Sequence, residues 1–165
     1  MKILSKISLL LTVFFLFGAF EMSAKDKEDE SPLRNYTIEG AGRTAGQGSY
    51  MVKVTVTTKN KNLPDRDISK CAVHGVLFQG FSGDNHHTEK PLARSASAEA
   101  EHKEFFDSFF SSSRAAQYAN PVQSTRQVTK SGKEYVITEI VEVQKDLLKK
   151  DLQDAGVLRS LNSGF

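Results

Sequence analysis

The chain has 165 residues, 39% of them hydrophobic and 25% charged, with 11 Gly, 4 Pro, 11 Phe, no Trp, one Cys and a formal net charge of +2. That is globular composition, and it excludes collagen-like and low-complexity architectures. A single cysteine excludes an internal disulfide and a cysteine-rich zinc site.

Lys2 and Lys6 open the chain with positive charge, Ile7 to Phe20 is almost wholly apolar, and Met22-Ser23-Ala24 places small residues where a signal peptidase reads. Residues 1–24 are therefore expected to be a cleavable signal peptide, leaving Lys25 as the mature N-terminus. The apolar run ends at Glu21 and falls short of the roughly twenty residues that span a bilayer. Cys71 is far from the cleavage point, so no lipidation cysteine is in place, and no stable membrane anchor is expected in the mature form. Removing 1–24 takes away two of the 22 basic and one of the 20 acidic residues, for a net charge of +1. With so little charge and no Lys/Arg stripe interleaved with aromatics, no nucleic-acid partner is expected.

Lys25 to Arg34 begins with a mixed-charge run and reads as a solvated leader, so residues 35–165 are expected to form a single domain. Tyr36–Glu39 is a short predicted strand. In the next strand Tyr50, Val52, Val54 and Val56 alternate with Met51, Lys53, Thr55 and Thr57, and Gly40 to Gly48 supplies a wide hairpin between the two. From Asp65 to Gln79, Ile68, Cys71, Ala72 and Gly75 recur at helical spacing, with Val73, Val76 and Leu77 on a second apolar face; Val76–Phe81 taken alone fits a buried strand equally well. Gly83–Arg94 is polar and contains Pro91, which predicts a surface loop. Ser97 is a candidate cap for a helix over Glu99–Phe110, whose Phe105, Phe106, Phe109 and Phe110 make one broad stripe, with Phe105 and Phe109 expected in the core. Gln127–Lys130 and Glu134–Val143 flank Ser131-Gly132-Lys133 as a second hairpin. Asp146 is expected to cap a last helix carrying Leu148 and Leu152, followed by Val157, Leu158 and Leu161 docking the tail. The expected fold is α+β, a two-layer sandwich in which an antiparallel sheet of about four strands, two hairpins, packs on about three helices.

The candidates for chemistry are few. Gly40 to Gly48 is not followed by a helix or by Lys-Ser/Thr, so it reads as a hairpin loop and not as a phosphate loop. Cys71 and His74 lie three apart on one helix, the spacing of a thiolate–imidazole pair, but Cys71 shares its face with Ile68 and Ala72 and reads as a small buried hydrophobe. His86 and His87, beside Asp84 and Asn85, are adjacent and diverge on an extended chain, which makes a poor chelate even with Glu101 or His102 nearby. Glu39, Glu139 and Glu142 are the carboxylates available for acid–base work. Glu139 interrupts the apolar set Tyr135, Ile137, Val141 and Val143, which predicts a bulge or an edge position. No catalytic, cofactor-binding or metal residue is assigned, and no cofactor is expected.

The cleavable signal, Ile38-Glu-Gly-Ala-Gly42, Lys70-Cys-Ala-Val-His-Gly-Val-Leu-Phe78 and the closing Asp154-Ala-Gly-Val-Leu-Arg-Ser-Leu-Asn-Ser-Gly-Phe165 resemble small uncharacterised exported proteins of Bacteroides-like bacteria. In layout the mature chain is also similar to small envelope lipoprotein domains encoded near curli-type secretion components. The resemblance implies an accessory protein of the cell envelope, periplasmic or secreted, without enzymatic function and with another envelope protein as partner. Two alternatives stand beside it. One is a small-ligand binder using the glycine loop and the Phe-rich helix, and the other a thiol-dependent hydrolase using Cys71 and His74.

Overall fold

A computed structural model describes residues 33, 35–42, 46–83, 88–94 and 97–158. Residues 1–32, the pair His86 and His87 with Asp84 and Asn85, and Leu161 lie outside the described residues, and with them the expectations placed on them.

The fold is α+β, built on an open antiparallel sheet. Its strands are β1 (Tyr36–Gly40), β2 (Tyr50–Thr58), β5 (Ala119–Pro121), β6 (Gln127–Ser131) and β7 (Glu134–Val143). β7 is central: β2 pairs along its whole length, from Tyr50 opposite Val143 to Thr58 opposite Tyr135, while β5 and β6 share its other edge. β1 completes the sheet beside β2, with Ile38 opposite Val54. The period-two alternation does what it predicts: Val52, Val54, Val56, Ile137, Val141 and Val143 have no exposed surface. Each such side chain contributes roughly 1.5–3 kcal/mol by leaving water. The opposite face carries Lys53 paired with Glu39 and the Thr55 to Thr138 hydroxyl contact of 3.2 Å.

The covering layer begins with α1 (Asp65–His74), entered through Pro64, whose extended φ and ψ of −62° and 147° suit the position before a helix. Ile68, Cys71, Ala72 and Val73 are fully buried, as their spacing predicts. Beyond His74 the chain neither frays nor becomes a strand. It widens into a π turn over Gly75–Gln79, closed by the Gly80 amide donating to the Gly75 carbonyl at 2.9 Å. At Gly75 the helix packs directly on the Ile38 side chain of β1, since a Cβ there would lie 2.5 Å from Ile38 Cδ1.

The wide turn leaves carbonyls for another segment to satisfy. Leu92 and Ala93 donate their amides to Val76 and Leu77 at 3.1 and 2.9 Å, and Ala93 is buried. The stretch predicted as a surface loop is therefore pinned to the helix at its Pro91 end. It also contains β4 (Thr88–Glu89), which pairs with β3 (Phe81–Ser82) in a two-stranded ribbon.

The Phe-rich helix is broken in two, α2 (Ala98–Glu101) and α3 (Lys103–Ser111), because His102 adopts φ −117° and ψ 35°. The four phenylalanines all lie on α3. Phe106, Phe109 and Phe110 are buried, whereas Phe105, expected in the core, is half-buried, stacked on Phe109 with the Arg114 guanidinium 5.7 Å above its ring. A 3₁₀ turn (Ala115–Tyr118) leads into β5, a strand that ends on Pro121 and lacks any local strand signal. α4 (Lys145–Asp154) starts after Gln144. Asp146, expected as its cap, sits instead in the first turn, and its backbone amide reaches back to the Gly48 carbonyl. Leu148, Leu152, Val157 and Leu158 are buried.

Candidate functional site

Glu139 is neither in a bulge nor at an edge, which corrects the sequence expectation. It pairs with Val54 in an unbroken ladder of the central strand, its side chain on the buried face and only 8% exposed. The reason is a partner supplied by the chain between β5 and β6. There Ser124 takes a left-handed φ of 61°, the Val122 amide donates to the Ile140 carbonyl, and the Ile140 amide donates to Thr125 Oγ1. This turn fills the gap along β7 and presents Arg126. Its Nε donates to Glu139 Oε2 at 2.9 Å and its Nη1 to the Leu63 carbonyl at 3.1 Å. Nη2 lies 2.8 Å from Glu139 and 2.9 Å from Asp65 as an ion pair, outside hydrogen-bond geometry. Burial raises the Glu139 carboxyl, and Arg126 opposes that rise. The cluster ties the start of α1, through Asp65 and the Leu63 carbonyl, to Glu139 of the sheet.

Cys71 has no exposed surface, and burial pushes its thiol up to about 12, so it presents neither a thiolate nor an open face at neutral pH. His74, one turn on, is held by other groups. Tyr36 Oη lies 2.5 Å from Nδ1, and Glu99 Oε1 lies 3.2 Å from Nε2. Tyr36 therefore donates to Nδ1 when Nε2 carries the proton toward Glu99. Edges and faces of Tyr36, Phe78 and Phe110 surround the ring at centroid distances of 5.7, 5.0 and 5.2 Å. This clasp joins β1, α1, α2 and α3 through one imidazole.

Burial lowers the His74 pKa from its ordinary 6.5, with Glu99 pulling the other way. A histidine lowered on folding contributes stability that is complete above its unfolded pKa and is lost as pH falls from there through the lowered folded value. Acidification from pH 7.5 to pH 5 is thus expected to destabilise the wild type more than a His74→Asn variant, whose side-chain oxygen still accepts from Tyr36. Urea midpoints of both proteins at the two pH values measure this. Equal losses would mean that His74 titrates as it does in the unfolded chain.

The residues that line open space are elsewhere. A cleft of about 700 Å³ is walled by Tyr50 of β2, Thr88 and Glu89 of β4, the Lys90 to Arg94 segment and Lys149 of α4. Tyr50 Oη donates to Glu89 Oε2 at 2.8 Å, and Lys145 Nζ stands 4.5 Å over the Tyr50 ring. Desolvation and the neighbouring Glu89 carboxylate raise the Tyr50 hydroxyl to about 12, so it stays a donor. No sequence pattern singles out this set, because its members come from three separate stretches of the chain, at Tyr50, residues 88–94 and Lys149. Among the described residues no three His, Cys, Asp or Glu side chains converge to hold a metal ion. No described helix is long and apolar enough to cross a membrane.

A further exposed feature is β6, in which every residue is exposed, Val128 to 41%. Ser131 pairs with Glu134 across the two-residue Gly132-Lys133 turn, so Ser131, Thr129 and Gln127 spend their backbone groups on β7. Val128 and Lys130 then direct theirs away from the sheet. Among the described residues no strand pairs with that edge.

No protein-family model matches the chain, and no curated protein or solved structure is significantly similar to it.

Proposed function

We propose that this chain is a non-enzymatic, exported binding module of the cell envelope, periplasmic or secreted, which takes an extended segment of another envelope protein as an added strand on β6. The observation that carries the reading is the free edge of β6. Two residues, Val128 and Lys130, offer outward N–H and C=O groups in strand spacing, and both faces of the strand are open to solvent. Backbone pairing of this kind supplies affinity, while pockets and charges along the strand supply choice of partner. The apolar Val128 favours an apolar residue on the incoming strand, and Lys130 with Lys133 favours a carboxylate beside it. Natural proteins usually blunt such an edge with a bulge or a cover, and β6 has a single lysine for that purpose. The burial of Cys71 and the engagement of both His74 nitrogens favour this reading over thiol chemistry.

The test is a photo-crosslinking amino acid placed at Val128, in the full chain expressed in its own cell. A discrete crosslinked protein in the envelope fraction is expected, on a chain whose N-terminus is Lys25 by mass spectrometry. A Lys130→Pro change, which removes an outward N–H but no bond to β7, should abolish it while the circular dichroism spectrum is retained. An uncleaved chain in the cytoplasm overturns the export reading. An exported chain whose crosslinking is absent, or is unchanged by Lys130→Pro, overturns strand addition.

A further inference from the structure

The cleft beside Tyr50 has a chemistry that strand addition does not use, and from it we infer a second site: Lys90, Arg94 and Lys149 form a preorganised receptor for a phosphate monoester. Three cations and one carboxylate, Glu89, line the cleft. Glu89 is engaged by the Tyr50 hydroxyl, whereas among the described residues Lys90, Arg94 and Lys149 make no ion pair. A cleft lined mainly by one sign of charge focuses its field and raises the local concentration of an anion of the opposite sign. The excess of two positive charges matches a dianion. The guanidinium of Arg94 suits the planar, two-point recognition of phosphate oxygens, and the lysines add point charges.

The walls are fixed before any ligand arrives. Lys90 and Arg94 flank the segment whose Leu92 and Ala93 amides are bonded to the π turn, so the helix geometry sets their spacing. Gly80, at φ 69°, lets that segment close in: a Cβ there would stand 2.4 Å from the Glu89 carbonyl oxygen and 3.0 Å from Pro91. Lys149 comes from α4, whose first turn is anchored to Gly48 next to β2. Pro91, Leu92 and the Tyr50 ring give the organic part of a ligand an apolar wall, and the volume lies within the range of small-molecule sites. The phosphate has two conceivable carriers, a soluble phosphorylated metabolite or the headgroup of a phospholipid, and both present the same group.

Calorimetric titration of the folded protein with glucose 6-phosphate, and flotation with phosphatidic acid vesicles against phosphatidylcholine vesicles, separate the carriers. Saturable binding of either phosphate is expected, weakening with added salt. It should weaken at least tenfold in Arg94→Gln and in Lys149→Gln but persist in Lys149→Arg. Lys53→Gln, which removes a cation from the opposite face of the sheet, should leave it intact. Binding of glucose 6-phosphate alone assigns a soluble ligand, and binding of phosphatidic acid vesicles alone assigns a headgroup. Binding of neither, or equal weakening by Lys53→Gln, overturns the site. Lys130→Pro should bind phosphate like the wild type, which keeps this result separate from that on β6.

Discussion

In a Phe109→Ala variant the unfolding free energy is expected to fall by about 3–5 kcal/mol, the range for deleting a large buried aromatic and leaving a cavity. Phe109 is 1% exposed and touches rings on every side: Phe110 at 5.2 Å, Phe105 at 5.8 Å, Tyr118 at 6.0 Å and Phe106 at 6.5 Å between centroids. No small rearrangement fills the space, since these neighbours sit on the same rigid helix or on the 3₁₀ turn after it. Phe105→Ala is the internal comparison. Phe105 keeps part of its surface in water, so its loss should fall nearer the ordinary value of about 1 kcal/mol. Urea denaturation of both variants measures the contrast. Equal losses would mean that Phe105 and Phe109 are buried alike and that the stripe packs as a single face.

An Arg126→Leu variant is expected to lose about 2–4 kcal/mol at pH 7, because it leaves the Glu139 carboxylate buried without its partner. The figure sits below that for a fully enclosed pair, since the Arg126 side chain is 30% exposed and partly screened by water. The loss should depend on pH with a definite sign. A carboxyl whose pKa is raised on folding holds its proton more tightly in the native state, so stability falls as pH rises from the unfolded value, 4.5, through the raised one. Without Arg126 the rise is larger, and the penalty is felt across that window and above it. The variant should therefore recover much of its deficit at pH 4, below the unfolded value, where Glu139 is mostly protonated folded and unfolded. Denaturation midpoints at pH 7 and pH 4 decide the point. A deficit of the same size at both would mean that Arg126 acts by packing its aliphatic stem and not by its charge.

How far the sequence revealed this molecule depended on whether the controlling interaction was local. The alternation of Val52, Val54 and Val56 and the spacing of Ile68, Cys71 and Ala72 are local patterns, and they placed β2 and α1 correctly. The turn at Gly132 likewise announced the β6–β7 hairpin. By contrast β5 is only Ala-Asn-Pro, held in place by β7 and not by its own propensity, and nothing near it in sequence predicts a strand. Glu139 looked like an irregularity because the turn carrying its partner Arg126 is shaped by bonds to Ile140. For Cys71 and His74 the spacing placed them on one helix, but the groups that occupy the imidazole, Tyr36 and Glu99, lie 38 and 25 positions away. The phosphate receptor is the extreme case, since the π turn that spaces Lys90 and Arg94 has no sequence signature.

The pairing of β2 with β7 sets the order in which the chain can acquire its structure. Thr55 and Thr138 meet across 83 positions, so the central ladder closes only after nearly the whole domain has been synthesised. Closing so long a loop before any reward is collected makes folding slow compared with a helical bundle of this size. Until then β2 has only the neighbouring β1 to pair with, and the central strand that completes the sheet is missing. That interval suits a polypeptide that must thread a narrow translocation channel unfolded, as the proposed export requires, and complete its fold on the far side.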